Sequence, residues 1–267
     1  MTTRIARFAL DSGKVRYAEL DQGSAWLLDE APWQLGRRTG ERLDGVDDQG
    51  RGSRTAQLIC PVTPSKIVCI GRNYQAHAKE LGNPMPTEPL MFLKPPSALI
   101  GPGGQIVLPP PDVSARIEHE TELGVVIGSR IRRADEERAA QAIFGYTVVG
   151  DITARDLQKK DKTWTRAKSF DTFCPAGPVI VTGLDTASLS VRCTVSDELR
   201  QDGTTADMYF RPPALLSYIS RVMTLEPGDL VATGTPAGVG PLVEGDRLTM
   251  AIEGIGELPL TVIGSRE

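Results

Sequence analysis

The sequence predicts a β-rich α+β fold, on three observations. From Ser65 onward, short apolar runs alternate with Gly and Pro. Only two segments carry helical periodicity. The runs also lack the regular strand–helix alternation of a doubly wound sheet. A chain of 267 residues can bury a core without disulfide or metal staples.

Taken in order, residues 4–29 read as three short strands, RIARFAL, KVRYAEL and SAWLLD, separated by Asp-Ser-Gly and Asp-Gln-Gly turn signals. The stretch GRRTGERLDGVDDQGRGSRT (36–55) is polar, Gly-rich and aperiodic, and reads as loop or linker. This divides the chain into a small N-terminal domain over 1–60 and a main domain over 61–267. Strand runs of the main domain are KIVCIG, EPLMFLKP, ELGVVIG, GYTVVGD, GPVIVTG, DLVATG, RLTMAIEG and ELPLTVIG. The two helical segments are 134–144, ended by Gly145, and 213–223. In the second, Leu215, Leu216, Ile219, Val222 and Met223 form one stripe, which reads as core. The last two strand runs, joined by a Gly-containing turn, predict a hairpin.

Composition excludes several functions. A net charge of −4 argues against nucleic acid, and the basic runs RGSR (51–54) and SRIRR (129–133) are short. Aromatics at 5% disfavour a base-stacking surface. The longest uncharged stretch, 95–111, is full of Pro and Gly and cannot be a membrane-spanning helix. The N-terminus meets Asp11 too early for a signal peptide, so a cytoplasmic location is expected. Cys60, Cys69, Cys174 and Cys193 show no CxxC spacing and read as reduced core thiols. With only His77 and His119 present, a His-rich metal site is impossible. Any metal would be held by oxygen, which points to Mg²⁺, Mn²⁺ or Ca²⁺.

Several residue groups could carry chemistry. In HETELGVVIG, Glu120 and Glu122 stand two apart on the lead-in to a strand, so both carboxylates leave one face. Like charges so placed repel unless a cation lies between them, although two solvated glutamates are the commoner meaning of such a pair. Asp151 follows an apolar strand and a Gly, which suits a strand-end ligand or, equally, a loop cap. Three carboxylates plus waters would fit octahedral Mg²⁺ and leave positions for a chelating substrate. Glu118 and Asp156 compete for that role from less favourable positions. In GRNYQAHAKELG, His77 and Glu80 are i, i+3, either a general base with its partner or a surface pair on a short helix. The flanking Gly71, Gly82, Pro84 and Pro86 suggest a mobile lid. Lys94, Lys168 and Thr235 are weaker polar candidates. TGTPAGVG lacks the lysine of a phosphate-binding loop, yet its small residues let backbone N–H groups approach an anion.

In chain order, GRNYQAHAKE, EPLMFLKPPSALIGPG, EHETELGVVIG, GYTVVGDITARDLQ, WTRAKSFDTFCPAGP and GDLVATGTPAGVGP resemble the fumarylacetoacetate hydrolase family, from about Lys66 to Leu260. The similarity is to its short bacterial and mitochondrial members, the acylpyruvase/oxaloacetate decarboxylase and hydroxyheptadienedioate isomerase/decarboxylase enzymes. The resemblance implies a mixed β-sandwich roll, usually dimeric, with one divalent metal, Mg²⁺ or alternatively Mn²⁺. It makes Glu120, Glu122 and Asp151 the metal ligands and His77 with Glu80 a lid dyad that activates water. By the same resemblance Lys168 steadies an oxyanion, while Arg72, Lys94, Arg155, Gln158 and Thr235 bind substrate. Thr172 matches a threonine near the metal of larger members. The activity it implies first is hydrolysis of a C–C bond in a 2,4-dioxo acid of the acylpyruvate type. Oxaloacetate decarboxylation and 2-hydroxyhepta-2,4-diene-1,7-dioate isomerisation or decarboxylation are the alternatives. A small 2-oxo acid substrate and a homodimer are expected, with neither nucleic acid nor membrane as partner.

Overall fold

A computed structural model describes residues 2–265. Its largest element is a mixed sheet of twelve strands. The strand order is Arg38–Asp44, Ser24–Leu28, Val15–Asp21, Arg4–Leu10, Cys174–Val181, Ile143–Gly150, Thr121–Ile127, Leu230–Ala232, Ile67–Gly71 and Leu90–Lys94. Ala56–Leu58 and Leu99–Ile100 attach to this path on Arg4–Leu10 and Cys174–Val181. A five-stranded sheet contains Glu198–Thr204, Ser190–Val195, Arg247–Ile252, Gly256–Ile263 and Gln105–Val107. A third, small sheet joins Thr153–Ala154, Ile117–His119 and Gly240–Pro241. The expected β-rich α+β architecture is what the chain adopts.

Central strands read as continuous apolar runs because both of their faces are covered. Thr121–Ile127 and Cys174–Val181 are buried at every position. The helix Pro212–Val222 packs against Glu136–Gln141 and, through Leu215, Leu216 and Ile219, into a cluster with Val68, Val125 and Val231. Met250, Ile252 and Leu258 of the five-stranded sheet share another cluster with Leu123, Val148 and Val179 of the large one. The C-terminal hairpin forms as expected, in register from Arg247↔Thr261 to Ile252↔Gly256, with Gly254 at φ 76 in its turn.

Arg4–Leu10 pairs antiparallel with Cys174–Val181, matching Ile5 to Ile180. Ala6, Phe8, Ala18 and Leu27 lie in the same apolar cluster as Ile106 and Leu258. Residues 2–60 therefore share a sheet and a core with the rest of the described chain. Part of the expected linker is a strand, Arg38–Asp44, exposed along most of its length at the sheet edge. An edge strand needs no apolar alternation, and its charges blunt it: Arg38 pairs with Glu19 and Asp21, and both Arg38 and Arg42 lie over the Trp26 ring.

Both helices are corrected at their ends. The first covers only Glu136–Gln141, with the Asp135 carboxylate accepting the Arg138 N–H as its N-cap. Ile143 and Phe144 belong to the following strand, and Gly145 does not stop a helix. A Cβ at Gly145 would lie 2.7 Å from the Val181 carbonyl oxygen, so the glycine serves close strand approach. In the second helix, Val222 leaves the expected stripe and is 64% exposed. All four cysteines are free, with Cys69, Cys174 and Cys193 buried. No helix among the described residues is long and apolar enough to cross a membrane.

Candidate active site

The site grows from the end of one antiparallel pair. Glu120 precedes the strand Thr121–Ile127 and Glu122 is its second residue, so the two carboxylates share a face as the i, i+2 spacing requires. Thr121 pairs with Gly150, and one step beyond the ladder the Asp151 N–H donates to the Glu120 carbonyl at 2.9 Å. That last bond brings Asp151 beside the two glutamates. One carboxylate oxygen from each residue lies within 4.8 Å of the others, and all three side chains are buried. Oxygen ligands around one Mg²⁺ at about 2.1 Å stand at most about 4.2 Å apart. Three hard oxygen donors in this arrangement fit a divalent cation and would close on it by a small movement.

The carboxylates sit in a ladder of alternating charge. The Lys94 ammonium donates to Asp151, and Lys168 donates to both Asp151 and Glu120, at 2.9 Å to the latter. Arg155 bridges Glu120 and Glu118, and Arg116 reaches Glu118 from the surface at 2.6 Å. Burial raises the Glu120 carboxyl, but Lys168 and Arg155 outweigh it and hold the group below the usual carboxylate range. Among the described residues Glu122 forms no ion pair, although the Lys168 charge acts on it from a distance. Burial, then the Asp151 and Glu120 charges, push it well above that range, against a 2.7 Å hydrogen bond from the Gly234 N–H. Burial pulls the Lys168 ammonium down, yet Asp151 and Glu120 keep it raised and charged.

His77 faces the same cavity from the helix Gln75–Glu80 and is 5% exposed. Its Nδ1 lies 3.3 Å from Glu80, whose other oxygen accepts the Gly238 N–H at 3.0 Å. With Glu80 accepting from Nδ1–H, the imidazole keeps Nε2 as its basic nitrogen. Arg72 opens this segment in the left-handed region, at φ 58, and lines the cavity with Gln158, Thr235 and Lys159. Leu81, Phe92 and Trp164 form an apolar wall, with the last two in edge contact.

The structure thus brings together Glu120, Glu122, Asp151, His77, Lys168, Arg72, Arg155, Gln158 and Thr235 around one cavity. Lys94 stands behind Asp151 with its ammonium also donating to the Ile152 carbonyl, away from the cavity lining. Thr172 is likewise elsewhere, its hydroxyl accepting the Val107 N–H at 2.9 Å. The competitors have structural partners: Glu118 holds Arg155, and Asp156 accepts from Ser114 and the Ala115 N–H. Sequence reasoning missed Asn73, a fully buried amide that donates to the Phe210 and Thr233 carbonyls and accepts the Phe210 N–H. Its signal was faint: an Asn directly after the strand-ending Gly71-Arg72. Lys159 was missed too, because nothing marks one helix lysine among several, whereas Gly234 lies in TGTPAGVG, whose backbone N–H groups are expected to approach an anion, and the anion it meets is the Glu122 carboxylate.

Fold and site together define a β-rich protein whose three buried carboxylates could hold a divalent cation, with a buried histidine facing the same cavity. The family profile described as fumarylacetoacetate (FAA) hydrolase C-terminal matches residues 66–263, and the chain belongs to the fumarylacetoacetate hydrolase family. Among its relatives, Protein Rv2993c of Mycobacterium tuberculosis (strain ATCC 25618 / H37Rv) is 45% identical over 266 residues, 97% of this chain and 98% of that protein. The mitochondrial oxaloacetate tautomerase FAHD1 of Arabidopsis thaliana is 47% identical over 204 residues, 74% of this chain and 91% of that protein. The crystal structure of a 2-hydroxyhepta-2,4-diene-1,7-dioate isomerase from Mycobacterium marinum superposes with a TM-score of 0.88 at 38% identity, covering 99% of this chain and all of that one.

Proposed function

We propose that the chain is a divalent-metal-dependent enzyme that interconverts the keto and enol forms of a 2-oxo dicarboxylate of the oxaloacetate kind. One observation carries the reading: a single cavity holds a buried histidine with a fixed partner, three carboxylates and two cations that, among the described residues, have no carboxylate partner. Glu120, Glu122 and Asp151 would hold Mg²⁺ or Mn²⁺, which would supply Lewis-acid polarisation of the keto group of a 2-oxo acid. His77 takes a proton from the carbon beside the keto group through Nε2, and a proton returned to the oxygen completes the enol. Lys168 spends two of its three donors on Asp151 and Glu120, and its positive charge opposes the negative charge growing on that oxygen. Arg72 and Lys159 line the cavity and, among the described residues, pair with no carboxylate. They suit a second substrate carboxylate, which an acylpyruvate with a simple acyl group, such as acetylpyruvate, lacks. Relatives named for oxaloacetate and for a heptadienedioate support the same choice.

Hydrolysis of an acylpyruvate is the second reading, with His77 taking the proton from water instead. The apolar wall of Leu81, Phe92 and Trp164 favours it, since that wall fits a neutral acyl group. The test follows the ultraviolet absorbance of oxaloacetate enol and, in parallel, pyruvate release from acetylpyruvate, each with Mg²⁺ and with EDTA. Metal-dependent decay of the enol, lost in His77→Ala, is the expected result. Pyruvate release as the faster reaction would hand the case to the hydrolase, and inactivity on both substrates would overturn both readings.

A further inference from the structure

The strand Glu198–Thr204 inverts the usual rule of burial. Leu199 is 51% exposed, whereas the polar Gln201 is wholly buried. Its amide is saturated. Oε1 accepts the Thr121 N–H at 3.0 Å and faces His119 Nδ1 at 3.3 Å. Nε2 donates to Thr235 Oγ1 at 2.7 Å and to the Pro236 carbonyl at 2.9 Å. Two of these partners fix the orientation of the amide: a backbone N–H can only donate, and a carbonyl can only accept. The Thr235 hydroxyl then donates to the Thr121 carbonyl at 2.8 Å, so both peptide groups of Thr121 are gripped. Thr121 is the residue between Glu120 and Glu122.

The other end of this grip is the segment 233–238. Gly234 gives its N–H to Glu122, and Gly238 gives its N–H to Glu80. The segment lies hard against the Gln201 strand. A Cβ at Gly238 would stand 2.0 Å from the Arg200 carbonyl oxygen, and one at Gly203 would stand 2.5 Å from Pro236 Cβ. We infer that Gln201 is a positioning residue that registers the metal-ligand strand and the 233–238 segment against each other, and through them Glu122 and the His77–Glu80 pair. The inference rests on the metal reading proposed above.

The test compares Gln201→Glu, which keeps the acceptor side and loses both donors, with Gln201→Met, which keeps the volume and loses every hydrogen bond. Mn²⁺ affinity is titrated without substrate by electron paramagnetic resonance, and kcat and KM are measured separately. Loss of an outer-shell partner typically weakens metal binding or activity by about 10- to 100-fold. We expect that loss in Mn²⁺ affinity and in kcat for both variants, with KM nearly unchanged and near-UV circular dichroism native. Gln201→Met combined with Thr235→Val should be no worse than the worse single variant, because the two share one network. Wild-type affinity and kcat in both variants would overturn the inference. So would losses that only follow a falling fraction of folded protein. If wild-type protein itself held no Mn²⁺, the metal reading would fail and take this one with it.

Discussion

If Glu122 holds the metal as proposed, binding should release a proton, because burial and the Asp151 and Glu120 charges push that carboxyl well above the usual carboxylate range. Without metal, the folded chain holds this proton where the unfolded chain has lost it. Metal-free stability therefore falls as pH rises from the ordinary carboxylate value towards the raised one. Mg²⁺ affinity rises over the same window. One Mg²⁺ concentration should thus raise Tm more at about pH 8 than at about pH 5.5, read by thermal melts against EDTA controls. A gain that shrinks with pH would contradict this. Lys94 allows a second check at a single side chain. It pairs with Asp151 at 0% and 1% side-chain exposure. Lys94→Met leaves part of a buried charge uncompensated and should cost about 3–5 kcal/mol, measured by urea unfolding.

The helix Gln75–Glu80 is too short to persist by itself, and no side chain caps its N-terminus. Its place is set by Asn73 at one end and by the Glu80 bond to Gly238 at the other. Asn73→Ala would strand the Phe210 N–H and the Thr233 carbonyl, costing about 2 kcal/mol or more. We expect faster hydrogen exchange across residues 75–81 and a lower kcat; unchanged exchange there would refute the tether. This helix also shows what a sequence can and cannot reveal. The spacing of His77 and Glu80, the shared face of Glu120 and Glu122, and the strand-end place of Asp151 are local properties, and each was legible. The partners of Lys94 and Asn73, and the two glutamates that hold Arg155, come from segments distant in sequence, which spacing does not encode. Arg38–Asp44 escaped notice because an exposed edge strand carries no apolar period.

Across the molecule, the N-terminal strands and the strands that carry the candidate site form one sheet, with Arg4–Leu10 seated directly on Cys174–Val181. Removing residues 2–60 would open that edge and uncover the cluster that includes Phe8 and Leu258. A lower Tm and strong binding of a hydrophobic dye are expected of the truncated chain, and a native-like melt would show that the N-terminal strands are dispensable. The thiols should behave the opposite way. Burial pushes Cys174 and Cys193 up to about 12, so they should resist a thiol reagent until denaturant is added. The alternating ladder from Lys94 to Arg116 places cations on Asp151, Glu120 and Glu118, leaving Glu122 as the carboxyl that changes state. If the site takes a metal as proposed, a holder balanced in this way needs only a small movement to load. The folded chain could then surrender a cation and take up another without being remade, and how many copies are at work at any moment would follow the metal supply around them.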